Sequence, residues 1–262
     1  MDTLMLMLTP ADGEAGLFIL AFAVTMAAGL VKGMVGFAMP MLLISVLGSV
    51  MAPDQALAWL ILPTLVTNLW QALRQGVGAA WGSLWRFRTF LTAGMVALAL
   101  SSQLVRVLPA SAFLLIIGVP MTLYAAAMLA GRDLRLPARP GRALEAAMGA
   151  VAGFFGGLSG VWGPPTVALL TAMNTEKTEQ VRVQGVIYGI GAVGMTAAHV
   201  VSGILDAQTA PISALLVVPA ALGLWLGFRI HDRIAQASFR KLTLIILLFA
   251  GLNLIRRGIT GP

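Results

Sequence analysis

This sequence has no cysteine, few charged residues and no acidic residue inside a long apolar segment. Without cysteine, the chain forms no disulfide, no thiolate metal site and no thiol nucleophile. Charged residues make up 10% of the chain, whereas soluble globular domains carry about 25%. So few charges cannot cover a water-facing surface, which excludes a soluble domain.

Apolar residues are abundant instead: they form 59% of the chain, and its mean hydropathy is +0.92. Several charge-poor stretches approach the roughly 20 residues that a membrane-spanning helix needs. They cover residues 57–73, 90–105, 112–130, 183–201, 212–228 and 242–255. We therefore predict an all-α polytopic membrane protein of the bacterial inner membrane.

A glycine-interrupted apolar segment occurs twice, at residues 28–40 and again 124 positions later at 152–164. The first copy reads AGLVKGMVGFAMP and the second reads AGFFGGLSGVWGP, with identities at both ends and at three glycines. Two matching apolar segments broken by glycine and proline indicate the substrate site of a secondary transporter.

Lysine and arginine cluster in a few loops, mainly 74–88, 132–142 and 229–241. This clustering argues against a nucleic-acid partner, and the positive-inside rule places these loops in the cytoplasm and both termini outside. The broken segment 16–50 then begins and ends outside, whereas 143–173 begins and ends inside. Half of either segment reaches only about 20–25 Å, short of a roughly 30 Å hydrocarbon core.

The predicted fold is two inverted repeats, each a broken helix or re-entrant hairpin followed by three transmembrane helices. The first repeat, 1–131, has its hairpin at 16–50 and spans at 54–73, 89–105 and 111–130; a cytoplasmic linker covers 132–142; the second repeat, 143–262, has its hairpin at 143–173 and spans at 178–201, 212–228 and 237–255. Two short full crossings in place of each hairpin would give the same topology. Inverted repeats place the substrate site near the membrane midplane.

Lys32 is the single basic residue that lies away from the ends of a predicted membrane segment. A charge there costs about 2.5–3.5 kcal/mol, which demands a compensating role. Lys32 precedes Gly33, where we expect the backbone to unwind, and helix N-termini near Gly36 and Gly160 would add partial positive charge. These features predict an anion site. The alternative is a lysine that snorkels to the headgroups or pairs with a hairpin carbonyl.

Further candidate ligands are neutral. Thr64, Thr67, Asn68 and Gln71 share one helix face, Gln184 and Tyr188 share another, and the second broken segment contributes Ser159, Gly160, Trp162 and Gly163. Neutral donors suit an oxyanion. For the residues on the two helix faces, the alternative role is hydrogen bonding between helices. Two local contacts are also expected: Thr178 as a helix cap, and an ion pair between Glu179 and Arg182.

The duplicated Gly-x-x-x-Gly-x-x-Gly pattern, followed by proline in both halves, resembles the sulfite exporter TauE/SafE family of membrane permeases. The resemblance covers nearly the whole chain. It implies transport of small sulfur-containing anions such as sulfite, sulfoacetate and other organosulfonates, and some members are associated with small organic acids. Lys32 has Gly156 as its counterpart, so the two halves are not chemically equivalent.

The sequence thus predicts a secondary transporter that exports sulfite or an organosulfonate by alternating access, with the lipid bilayer and a small anion as its partners. We expect no catalytic residue, no metal and no cofactor, and homo-oligomerisation stays open. One alternative is a proton-coupled carrier of small organic acids that uses Lys32 or His199. Another is a membrane-embedded phosphate-processing enzyme, for which Ser159 lacks an evident acid–base companion.

Overall fold

The computed structural model describes residues 12–48, 50–102, 110–132, 141–159 and 163–260, and within these ranges all regular structure is helical. The helices are α1 (Asp12–Val35), α2 (Met39–Leu47), α3 (Pro53–Leu73), α4 (Val77–Arg86), α5 (Arg88–Ser102), α6 (Ala110–Leu129), α7 (Arg142–Ser159), α8 (Gly163–Ala172), α9 (Lys177–Val201), α10 (Ala210–Arg233) and α11 (Gln236–Thr260).

Within the described part of the chain, five stretches are long and apolar enough to cross a membrane: Gly16–Val35, Asp54–Leu73, Lys177–Val201, Ala210–Arg233 and Gln236–Thr260. Two shorter apolar helical stretches, Arg88–Ser101 and Gly118–Leu129, accompany them. These helices confirm the prediction of an all-α polytopic membrane protein. The division into two inverted repeats stays a prediction.

The chain forms two compact units, and unit 1 contains residues 12–34, 39–67 and 192–230. Its core packs apolar side chains of α1, α2, α3 and α10, among them Met39, Leu43 and Leu216. Here α1 lies close against α10. The absence of a side chain at Gly29 permits this approach, since a Cβ there would stand only 2.5 Å from the carbonyl oxygen of Ala220. Small residues that let two helix backbones approach are typical of membrane helix interfaces.

Unit 2 contains residues 35–38, 68–191 and 231–260. In it α5 packs along α7, and α6 packs along α11. The α5–α7 contact again depends on glycine, since a Cβ at Gly94 would stand 3.1 Å from the carbonyl oxygen of Gly149. If the predicted repeats hold, the 124-residue offset pairs α1 with α7 and α5 with α10.

Candidate functional site

The first broken segment stays helical through Lys32 and Gly33 and unwinds only at Gly36, one turn later than expected. Gly36 has φ of 89° and Ala38 has φ of 79°. Left-handed backbone is rare for a residue with a Cβ, and such strain concentrates at functional sites. The break therefore occupies the three residues between α1 and α2.

Two glutamines of unit 2 bind the carbonyl oxygens that this break exposes. The Nε2 atom of Gln71 donates to the carbonyl oxygen of Gly36 at 3.0 Å and to that of Val181 at 2.7 Å. Gln184, with its amide nitrogen turned toward the break, donates to the carbonyl oxygens of Val35 at 3.1 Å and Gly36 at 3.0 Å. Such carbonyls have no helical partner and must be satisfied inside a membrane protein. Gln71 and Gln184 fulfil that requirement.

Within unit 2, Gly163 of the second broken segment lies beside the first break. A Cβ at Gly163, the first residue of α8, would stand 3.8 Å from both the Phe37 ring and the Tyr188 hydroxyl. That hydroxyl donates to the carbonyl oxygen of Gly163 at 3.0 Å and is also hydrogen-bonded to Thr166. Asn68 donates to the carbonyl oxygen of Tyr188 at 3.3 Å. Gly163 and residues of the first break therefore lie in one cluster with Tyr188 and Asn68.

This cluster contains an unused acceptor. The Oε1 atom of Gln71 is buried and has no hydrogen-bond partner among the described residues, although both hydrogens of Nε2 have acceptors. A buried amide oxygen without a partner carries a desolvation cost of about 1–3 kcal/mol. Water or the hydroxyl of a protonated ligand would remove that cost.

A charged cluster occupies unit 1. Lys32 is 1% exposed, and its Nζ donates to the Oγ1 of Thr67 at 2.9 Å. Thr67 in turn donates to the carbonyl oxygen of Pro63 at 2.6 Å. Thr64 is also buried, and its Oγ1 has no hydrogen-bond partner among the described residues. The lysine is enclosed in protein and therefore does not snorkel, as a snorkelling lysine keeps its ammonium in water.

Gly33 has a second role in this unit, in helix packing. A Cβ there would stand 2.8 Å from the Cα of Gly227 on α10, closer than any side chain allows. Gly29 and Gly33 on α1 thus form one small-residue face with the Gly-x-x-x-Gly spacing of membrane helix contacts. Any larger residue at Gly33 would push α1 away from α10 next to Lys32.

Three candidates lie outside the described residues: Gly160, Trp162 and the side chain of Ser159. Their part in a site stays a prediction. The remaining candidates fall into the two clusters above, with Thr64 in unit 1 and Asn68, Gln71, Gln184 and Tyr188 in unit 2.

The expected ion pair between Glu179 and Arg182 is wrong. Glu179 pairs with Arg86 of α4 at 2.5 Å, and Arg182 donates to the Oγ of Ser83 at 2.8 Å and to the Gln75 side chain. Helical spacing brings Glu179 and Arg182 onto one face, but α4 and the turn before it supply better-placed partners. Local spacing could not reveal these contacts because they join distant parts of the chain.

The start of α9 is also capped differently from the expectation. Glu176, rather than Thr178, is the cap: its carboxylate accepts the backbone N–H of Thr178 at 2.9 Å and of Glu179 at 3.0 Å. Burial alone would raise the pKa of Glu176, but these hydrogen bonds and that from the Thr178 hydroxyl hold it below its ordinary value. An acidic residue at a helix N-terminus also interacts favourably with the helix dipole.

Sequence reasoning missed Ser213 and Thr166. Pro63 lies inside α3 and provides no N–H, and the Ser213 hydroxyl donates to the carbonyl oxygen of Trp59 at 3.3 Å, four residues before Pro63. The proline signals that some donor is needed at this point. Nothing in the sequence identifies Ser213 as that donor or Thr166 as a partner of Tyr188.

The chain matches no curated protein and no solved structure. The family described as sulfite exporter TauE/SafE matches it over residues 21–254, nearly its whole length. That range includes both glycine-interrupted stretches, 28–40 and 152–164, as well as Lys32, Gln71 and Gln184. The protein therefore belongs to the sulfite exporter TauE/SafE family of membrane transporters.

Proposed function

We propose that this protein is a secondary transporter that exports a small anion, either sulfite or an organosulfonate, across the bacterial inner membrane. Membership of the TauE/SafE family supports a membrane transporter. The observation that carries the choice of an anion is Lys32, a lysine buried in unit 1 one turn before the first break.

The Lys32 cluster suits a transient anion. A buried ammonium is costly, and hydrogen bonds to neutral hydroxyls offset only part of that cost. Lys32 bonds to the Thr67 hydroxyl, and Thr64 adds a buried hydroxyl whose oxygen has no partner among the described residues. The described acidic side chains of unit 1, Asp54 and Asp206, are exposed. An arriving oxyanion would accept hydrogen bonds from Lys32 and Thr64 together.

The polar cluster of unit 2 provides a second element of the proposed mechanism. In the first turn of α8, Gly163 carries a backbone N–H without a helical partner, beside the hydroxyls of Tyr188 and Thr166, whereas Pro164 and Pro165 carry no N–H. Ser159, Gly160 and Trp162 precede this turn in sequence, and we propose that they complete an oxyanion-binding loop. The broken backbone would change shape as access alternates between the two membrane faces.

Membrane potential is sufficient to drive such export. An anion that leaves a cell with a negative interior gains about 2.3 kcal/mol per charge per 100 mV. No acidic residue lies in the middle of a predicted span, which disfavours carboxylate-based proton coupling. Export by electrogenic uniport is therefore the proposed mode.

Purified protein in liposomes tests this function. Vesicles loaded with radiolabelled sulfite, isethionate, sulfoacetate, sulfate or acetate would be given a potassium-diffusion potential at zero pH gradient. We expect efflux of sulfite or a sulfonate that follows the potential and exceeds efflux of acetate and sulfate.

Two results would contradict the proposal. Efflux that follows a pH gradient at zero potential, with acetate preferred, would indicate a proton-coupled carrier of organic acids. Absence of flux for every anion, in protein that unfolds cooperatively on heating, would refute anion transport.

A further inference from the structure

A cavity of about 770 Å³ lies within unit 2, and its walls include none of the residues of the two clusters described above. The end of α6, the beginning of α11 and Asn174 after α8 line it, and it is open on one side. Its polar wall carries three cationic side chains, Arg132, Arg240 and Lys241. Its apolar wall consists of Met128, Leu129 and Leu244.

Among the described residues, the three cations have no carboxylate partner, in contrast to two other cations of the same unit. Arg74 and Arg86 form ion pairs with Asp232 and Glu179, both at 2.5 Å. Among the described residues, none of the three cavity cations forms an ion pair, and no acidic residue lines the cavity. Asp133, which follows Arg132 in sequence, lies outside the described residues. The cavity therefore combines a threefold positive charge with an apolar wall.

Arg240 brings to this wall a guanidinium with one donor that has no acceptor among the described residues. Its Nε is buried and has no hydrogen-bond partner among the described residues. A guanidinium donor inside a protein normally has an acceptor, and phosphate oxygens fit its planar fork. The N-terminus of α11 adds further partial positive charge, since this helix begins at Gln236 in the cavity wall.

We propose that this cavity binds the phosphate headgroup of an anionic phospholipid. The two long helices that frame it carry large exposed apolar side chains further along their length, namely Leu123 on α6 and Phe249 on α11. Such surfaces accommodate acyl chains, which a free phosphate ion does not need. Basic pockets at the ends of membrane helices on the cytoplasmic side are typical sites for anionic headgroups. This inference does not depend on the identity of the transported anion.

Native mass spectrometry of the delipidated full-length protein tests the proposal. The probes are phosphatidylglycerol, phosphatidylcholine and inorganic phosphate, offered in turn. We expect retention of phosphatidylglycerol over phosphatidylcholine, and binding on the order of tenfold weaker or more in the double variant Arg240→Gln, Lys241→Gln. Arg256→Gln with Arg257→Gln is the matched control, because it removes two adjacent arginines from the other end of α11.

Several outcomes would overturn the proposal. Equal retention of both lipids would mean that the headgroup charge is not recognised. Equal loss in the control pair would mean that overall charge, and not this cavity, attracts the lipid. Inorganic phosphate that displaces phosphatidylglycerol at equal concentration would indicate a site for free anions. By contrast, lost binding in a double variant whose melting temperature equals that of the unaltered protein would support the proposal, because the loss would not reflect unfolding.

Discussion

The two polar clusters differ in what they stabilise. In unit 1, the charged Lys32 side chain bonds to the Thr67 hydroxyl. In unit 2, neutral amides of Gln71 and Gln184 bond to backbone carbonyls that the break exposes. Both clusters are buried, in a chain of which only 10% of the residues are charged.

This difference suggests two separate roles: the fold requires the glutamine contacts, whereas we propose that transport requires the lysine. Exposed carbonyls at a helix break must find donors in a membrane, so the fold itself requires the two glutamines. For the buried lysine we expect no such need, because replacing a buried charged contact by an apolar side chain of similar volume is often neutral or stabilising. We therefore propose that Lys32 serves a ligand, whereas the two glutamines bind backbone carbonyls at the break.

The largest expected effect is on flux in Lys32→Met. Loss of the buried cation should lower anion flux on the order of 100-fold, because removing one partner of a buried charged contact costs about 2–5 kcal/mol. The melting temperature in detergent should stay the same or rise. Flux in proteoliposomes and a thermal unfolding curve measure the two effects.

Thr25→Val is the matched control for this variant. Thr25 lies on the same helix, is fully buried and has an Oγ1 without a partner among the described residues, so its replacement should leave flux nearly unchanged. Normal flux in Lys32→Met would show that transport does not need the lysine. A melting temperature far below that of the unaltered protein would show that the lysine serves the fold. Either result would contradict the comparison.

The next largest effect is on the free energy of unfolding and concerns Gln184 in the polar cluster of unit 2. In Gly36→Ala, the new Cβ would collide with the amide of Gln184, whose displacement would break its bonds to Val35 and Gly36. We expect a loss of about 2–4 kcal/mol in the free energy of unfolding, from backbone strain and lost hydrogen bonds together. Denaturant or thermal unfolding in detergent would measure it.

Gly76→Ala separates these two causes. Gly76 has the same φ of 89°, but a Cβ at this position would have no atom within 4 Å. Its replacement should therefore cost only the strain, about 1–2 kcal/mol. Equal losses in the two variants would mean that the glutamine contacts contribute nothing to the break.

The smallest effect is expected at Glu176, whose side chain is exposed. Its pKa is lowered in the folded protein, so its stabilising contribution is present above the ordinary pKa of about 4.5 and disappears as the pH falls through the folded value. Glu176→Gln should thus lower stability by about 0.3–1 kcal/mol near neutral pH. Melting curves at several pH values would test this.

The deficit of the variant should disappear at a pH well below the ordinary pKa of the carboxyl group. A constant deficit across the whole pH range would show that the charge of Glu176 is not what caps α9. A deficit as large as that of Gly36→Ala would show that exposed caps matter as much as the buried amides.

Much of this molecule can be predicted because the relevant signals are local. Long charge-poor runs predict the helices, and paired Gly and Pro residues indicate where the broken segments lie. Partners are harder to predict. Glu179 and Arg182 have the spacing of an ion pair, yet α4 provides Arg86 and Ser83 instead. Similarly, helical spacing places Gln71 and Gln184 within apolar spans, but nothing in it identifies them as donors to a backbone carbonyl.

The sequence by itself determined that this is a helical membrane protein with two glycine-broken segments and one lysine inside an apolar run. These features follow from composition and short-range spacing, which act through the cost of placing charge and open backbone in lipid. The tertiary structure alone decided that Thr67 receives the Lys32 ammonium, that two glutamines bind the first break, and that Phe37 meets Gly163. Each of these contacts joins distant positions, and only the packing of helices determines which donor reaches which acceptor.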